Sequence, residues 1–286
     1  MRPGSKIVPR DGRMSGRHLF TRVAPATDSG VSVVGRVPTG VPGLDELIGG
    51  GFMPQSANLV EGAPGTGKST LGLQFIYNGA VLHQDPGLIL TFEQFPQQYY
   101  ESALSFGWDL PALEKRGMLR VLMTSPEVGR SDLAAVNGRM ETLVREMGAK
   151  RVLVDSISRF ADLGLSDNEL RGAQHAFING LKREGLTALL TSESLSLLGL
   201  NDRLADRIAY VVDSYLLLRY VEVDSSLRRA LLVLKMRGSQ HDRDIRQYDI
   251  TSEGFTLRAR FEGREGILSG NSRRMVDSFD RAFTRH

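Results

Sequence analysis

Residues 57–70 read Ala57-Asn58-Leu59-Val60-Glu61-Gly62-Ala63-Pro64-Gly65-Thr66-Gly67-Lys68-Ser69-Thr70. A short apolar run leads into the pattern G-x-x-x-x-G-K-[ST], and Ser69 to Val81 continues with Leu71, Phe75 and Ala80 along one side of a helix. Strand, glycine loop and helix N-terminus in that order make a cradle for a nucleotide phosphate. The glycines let successive N–H groups turn inward, and a side chain at Gly65 or Gly67 would block the approach. Lys68 then reaches the β and γ oxygens, and the Ser69 hydroxyl takes one site on Mg²⁺. Gly62, Pro64, Thr66 and Thr70 complete the stretch expected to contact ATP, with the helix dipole aimed at the phosphate.

Outward from this loop, the chain of 286 residues is 41% hydrophobic and 24% charged, enough for one full core with tails. It has no cysteine, which excludes a disulfide framework and thiolate sites and fits a reducing cytoplasm. No apolar stretch approaches the roughly 20 residues of a membrane span. The net charge of +3 is uneven. Residues 1–36 form a Pro-, Gly- and Ser-rich arm with seven cations against Asp11 and Asp28, so the remainder is slightly acidic. A solvated tail is the first reading of that arm; weak contact with nucleic acid or an acidic partner is the alternative.

From about residue 37 buried strands alternate with amphipathic helices, as a parallel sheet with crossover helices requires. The strands expected are Asn58 to Val60, Leu88 to Phe92, Leu119 to Met123, Arg151 to Val154 and Thr187 to Thr191. One helix is expected over Leu133 to Met147, with Val136, Met140, Leu143, Val144 and Met147 on its apolar face. Another opens on the capping pattern Ser166-Asp167-Asn168-Glu169. Hairpins follow: Tyr215 to Val223, a turn at Asp224-Ser225-Ser226, Ala230 to Arg237, and a strand near Gln247 to Ile250. Residues 37–258 thus form the nucleotide domain. Residues 259–286 form a final segment whose Met275, Val276, Phe279 and Phe283 make an apolar helical face, a surface for a regulatory partner.

Hydrolysis needs a second carboxylate for the metal and a base or water-orienting group. Arg151-Val152-Leu153-Val154-Asp155 ends an apolar strand in an acid at the edge that carries the phosphate loop, so Asp155 should hold Mg²⁺ through water. Leu88 to Glu93 does the same, making Glu93 the expected base. Thr191-Ser192-Glu193 closes a third such strand as a weaker candidate for sensing the γ-phosphate. In Leu231 to Gly238 a period of two puts Lys235 and Arg237 on one face, suited either to a solvated edge or to an anion on a neighbouring subunit.

These residues together resemble the KaiC family of RecA-like ATPases. The likeness runs from Pro38-Thr39-Gly40 and Gly49-Gly50-Gly51 through the phosphate loop, Thr91-Phe92-Glu93 and Asp155-Ser156. It is most specific in Lys235-Met236-Arg237-Gly238-Ser239-Gln240-His241-Asp242, where the family carries K-x-R-G-x-x-H. Tyr220-Val221-Glu222 and Glu265 to Gly270 resemble a late hairpin and a loop lining the ring's channel. The resemblance implies an α/β fold of RecA-like P-loop NTPase type, a mostly parallel central sheet flanked by helices, with C-terminal β-hairpins. It also implies a homohexamer with ATP between subunits, where Lys235, Arg237 and His241, with Ser239, approach the neighbour's nucleotide.

Two departures matter. The family's paired glutamates are here Glu93-Gln94, and its phosphorylated Ser-Thr pair falls on Ala209-Tyr210. Slow hydrolysis by a regulatory ring is therefore the leading expectation, ahead of an autokinase. A DNA-dependent motor is a third class, disfavoured because Ser194 to Arg207 is short and offers only Arg203 and Arg207 as cations. A fourth binds ATP only to assemble.

Overall fold

A computed structural model describes residues 35–194, 208–261, 264–265 and 273–274. Most of the basic arm, most of the Ser194 to Arg207 segment, residues 266–270 of the channel-loop resemblance and the apolar face at Met275 to Phe283 lie outside the described residues.

The phosphate loop sits at the centre of a nine-stranded sheet. In chain order its parallel strands are β1 (Ala57–Gly62), β2 (Gly87–Thr91), β3 (Leu119–Met123), β4 (Arg151–Asp155), β5 (Thr187–Glu193) and β6 (Ser214–Val223). The hairpin strands β7 (Ser226–Met236), β8 (Arg246–Thr251) and β9 (Gly254–Arg260) add on antiparallel, giving the order β3-β2-β4-β5-β1-β6-β7-β8-β9. β1, β2 and β4 are buried throughout because both faces of the sheet are covered. Alternate residues feed two cores. Val60, Ile89, Leu153 and Leu189 pack with α2 (Lys68–Leu82), whereas Leu59, Leu88, Val152 and Leu190 pack with the opposite layer.

The first layer also holds α3 (Pro96–Leu104) and α4 (Leu110–Lys115), and the second holds α5 (Pro126–Ala134), α6 (Arg139–Met147) and α7 (Asp167–Arg183). α7 begins as its capping pattern demands, Ser166 N donating to Glu169 Oε2 at 3.0 Å. The helix expected over Leu133 to Met147 is instead two. Asn137 takes φ +57°, and Asp132 accepts from Arg139 N and Met140 N at 2.9 and 2.5 Å, so its carboxylate starts a new helix where the first ends. Val136, placed on the apolar face by spacing, is 90% exposed in the break.

A buried arginine fastens the opening segment beneath the sheet. Arg151 donates to Asp85 Oδ2 at 2.8 Å from Nη2 and to Pro38 O at 2.7 Å from Nη1, with its guanidinium 4.8 Å from the Phe75 ring centroid. Beyond β9, β10 (Arg264–Glu265) pairs antiparallel with β11 (Arg273–Arg274). Among the described residues no helix is long and apolar enough to cross a membrane.

Candidate nucleotide site

Sheet register gathers the predicted residues at one edge. Thr91 pairs with Asp155, and Val60 with Thr191, so the ends of β2, β4, β5 and β1 lie in one row. Gly62 stands two residues beyond, opposite Glu193. Between Gly62 and α2 the loop is held by its own groups: Thr66 Oγ1 donates to Ala63 O at 2.7 Å.

Glycine is required in the loop for a second reason besides phosphate approach. Gly67 has φ +92°, and a Cβ there would lie 2.3 Å from Ile250 Cδ1 on β8; one at Gly65, φ +79°, would lie 2.9 Å from the Tyr220 hydroxyl. Tyr248, also on β8 and stacked on Phe255 with ring centroids 4.2 Å apart, donates its hydroxyl to Thr66 O at 2.6 Å. The hairpin strands therefore buttress the loop from outside. Arg229 joins them, its guanidinium 5.9 Å from the Tyr220 ring centroid and its buried Nε without a hydrogen-bond partner among the described residues. Sequence reasoning had no way to select Arg229 from the other cations of the hairpin.

Lys68 is 8% exposed and donates to Ala63 O at 3.2 Å. Burial pushes its ammonium below the usual lysine value, against the pull of Glu193, Asp155 and Glu61. A buried cation resting on a loop carbonyl fits an anionic ligand, which would replace that contact. Asp155 accepts from Tyr99 Oη at 2.8 Å and from Thr191 Oγ1 at 2.5 Å, and the Asp155–Ser156 peptide is cis. The Ser156 hydroxyl beside it is buried without a hydrogen-bond partner among the described residues. The hydroxyl of Ser69 and the carboxylate of Asp155 are hard oxygen donors, the set that Mg²⁺ takes.

Glu93 stands half exposed in the turn after β2 and is bound by Arg159, whose Nε donates to Oε2 at 3.0 Å. That hydrogen bond and the guanidinium charge hold its carboxyl below the usual range, outweighing the small burial that acts the other way. Arg159 lies in a 3₁₀ turn over Ile157–Leu163, and no sequence spacing linked it to Glu93. Glu193, the weaker candidate, is exposed, and its backbone N–H donates to Ser158 Oγ at 2.8 Å.

The remaining candidates stand elsewhere. β6 starts with Ser214 opposite Asn58, and β7 ends with Met236 opposite Ser214, so Lys235, Arg237, Ser239 and His241 lie at or beyond the edge where the parallel strands begin. Four register steps separate Ser214 from the level of Gly62, about 13 Å along the strands. A bulge in the pairing near Leu234 turns Lys235 off the face buried by Leu231 and Val233, and Met236 takes that place. Lys235 Nζ donates to Ala209 O and Val212 O at 2.6 and 2.7 Å, and Arg237 Nη2 to Tyr210 O at 2.6 Å. Both cations hold one turn of their own chain, and neither reaches its own phosphate loop.

The model of the family described as "ATPase: KaiC" matches residues 37–260. The chain belongs to the KaiC ATPase family. It is 36% identical to the circadian clock oscillator protein KaiC of Thermostichus vulcanus, over 84% of this chain and 46% of that protein. It is 33% identical to the KaiC of Acaryochloris marina, over 92% of this chain and 51% of that protein, and 33% identical to KaiC 1 of a Synechocystis strain. This chain thus spans about half the length of the curated relatives it matches. Its sheet, loop and hairpins are those of a RecA-like ATPase domain, as the resemblance implied.

Proposed function

We propose that the chain binds Mg-ATP and hydrolyses it slowly as a homohexameric ring, the nucleotide lying between subunits and its state serving a regulatory or signalling role. One observation carries this reading. The phosphate loop, Asp155 and Glu93 share one edge of the sheet, while Lys235, Arg237, Ser239 and His241 lie at the opposite edge, about 13 Å away. Charges so divided serve one nucleotide only when a second copy places its far edge against the first copy's loop.

Within such a site the loop amides and Lys68 hold the phosphates. Ser69 and Asp155 hold the metal, which when bound neutralises charge across the β and γ oxygens. Glu93 orients water and takes its proton, and Lys235 and Arg237 of the neighbour approach the γ-phosphate once they release the turn at 209–212. Two features favour slow turnover. Gln94 stands where a second glutamate would be, and Arg159 occupies the one carboxylate that remains.

Transfer to the protein itself needs a hydroxyl in line with the γ-phosphate. The turn that Lys235 and Arg237 hold offers Ala209, without one, and Tyr210, which is 52% exposed. Phosphoserine and phosphothreonine are therefore not expected there after incubation with Mg-ATP, and Tyr210 is the single candidate.

Complementation tests the shared site. A Lys68→Ala chain keeps Lys235 and Arg237 but loses its phosphate grip, and a Lys235→Ala/Arg237→Ala chain does the reverse. Each alone should be inactive, and a mixture should recover part of the parental hydrolysis. A mixture as inactive as its components, under conditions where light scattering shows mixed rings, would overturn the shared site; a monomer with and without ATP would overturn the ring.

A further inference from the structure

Both oxygens of the Asp155 carboxylate are gripped by neutral hydroxyls from other elements. Thr191, on β5, takes Oδ1 at 2.5 Å, and Tyr99, on α3, takes Oδ2 at 2.8 Å. Thr191 is fully buried, Tyr99 is 2% exposed and Asp155 is 9% exposed. A core tyrosine needs some partner for its hydroxyl, and a backbone carbonyl would serve. This one reaches the carboxylate at the end of β4 instead.

Each carboxylate oxygen accepts two hydrogen bonds, so each keeps one position after Tyr99 and Thr191 have taken theirs. The carboxylate is thereby fixed in one plane with acceptor capacity in reserve. That is what holding a water-clad Mg²⁺ requires, since this ion keeps its waters and tolerates little error in geometry.

α3 begins at Pro96, three residues after Glu93, and Phe92 N donates to Asp155 O at 3.1 Å. The turn that carries Glu93 is therefore tied to Asp155 at both of its ends, by the Phe92 amide before it and the Tyr99 phenol after it. We infer that Tyr99 is a positioning residue for the metal site: its hydroxyl orients the Asp155 carboxylate toward Mg²⁺ and fixes the Glu93 turn relative to it. The role rests on Asp155 holding the metal, as in the proposed function.

The test compares the affinity of the full chain for a fluorescent ATP analogue in Mg²⁺ and in EDTA, so no turnover is needed. Tyr99→Phe should reduce the Mg²⁺ enhancement of affinity about tenfold and leave the EDTA affinity unchanged, the size of loss typical for a partner of a metal-holding group. Thr191→Val, which removes the other hydroxyl at nearly constant volume, should lower the same enhancement and serves as the readout if Tyr99→Phe does not fold. A lower melting temperature with parental Mg²⁺ enhancement makes Tyr99 structural only and overturns the inference. Equal affinity of the parental chain in Mg²⁺ and EDTA removes the metal reading itself, a failure distinguishable because it appears before any substitution.

Discussion

Substituting Gly67 separates two reasons for a glycine in the phosphate loop. At φ +92° any Cβ is strained, at a cost of about 1–2 kcal/mol. The added carbon would also lie 2.3 Å from Ile250 Cδ1, while its next neighbours, Ile250 Cγ1 and Phe255 Cδ2, are 3.4 and 3.8 Å away. One methyl is thus the obstacle, and forcing past it costs about 1–3 kcal/mol more. Gly67→Ala should therefore destabilise by about 2–5 kcal/mol. Ile250→Val removes that methyl from a partly buried side chain for about 0.5–1 kcal/mol. The double substitution should recover most of the clash and show a favourable coupling of about 1–3 kcal/mol in a urea-unfolding cycle. Additivity within about 0.5 kcal/mol would refute the packing of β8 on the loop. Nucleotide affinity supplies the second half of the experiment. If the glycine also serves phosphate approach, the doubly substituted chain regains stability but not ATP binding.

Glu93→Gln should keep Mg-ATP binding and lose turnover, and hydrolysis at the parental rate would show that Glu93 is not the base. Arg159 holds Glu93 below the usual carboxylate range, so the acid limb of the kcat/KM profile should lie below that range as well. A depressed carboxylate stays charged to lower pH, so Arg159→Ala should move the limb upward, and an unmoved limb would separate Glu93 from the chemistry. Arg151→Met removes one donor each from Asp85, Pro38 O and Phe75 O and should cost about 3 kcal/mol in urea unfolding. The cost stays at the low end because Asp85 is 17% exposed and keeps Lys150 at 3.2 Å, and a loss below about 1 kcal/mol would mean that the network is dispensable.

What could be read from the sequence was local or doubly buried. The phosphate loop is contiguous, so its glycines, lysine and serine announce themselves together. Strands β1, β2 and β4 are buried over their length and carry apolar runs at Leu59-Val60, Leu88 to Leu90 and Val152 to Val154 because helices cover both faces, and an acid that follows such a run lies at the loop's edge. Legibility failed where one residue changes the period. Asn137 and the Asp132 cap split a helical stripe that spacing alone runs together, and the bulge near Leu234 changes which face Lys235 occupies. It failed again where partners meet only in three dimensions. Tyr99 with Asp155, Arg159 with Glu93 and Tyr248 with Thr66 are separated by 56, 66 and 182 positions, and no pattern of spacing joins them.

The β6 and β7 hairpin gives a physical reason why the two halves of the proposed site belong to one cooperative unit. Its strands pair from Ser214 opposite Met236 to Val223 opposite Ser226, with the bulge as their one irregularity. Near the turn, Tyr220 crowds Gly65, and the next strand brings Tyr248 and Ile250 against Thr66 and Gly67. At the far end the same ribbon presents Lys235 and, just past it, Arg237. A paired ribbon resists stretching and slipping, since a one-residue slip would turn every buried side chain outward. Movement of the phosphate loop against β8 would reach the hairpin through the pairs Ala230–Gln247 and Leu231–Arg246, and a tilt of the ribbon there would displace the cations at the opposite edge. In the proposed ring those cations would face the next nucleotide, so occupancy of one site would be felt at the next through strands.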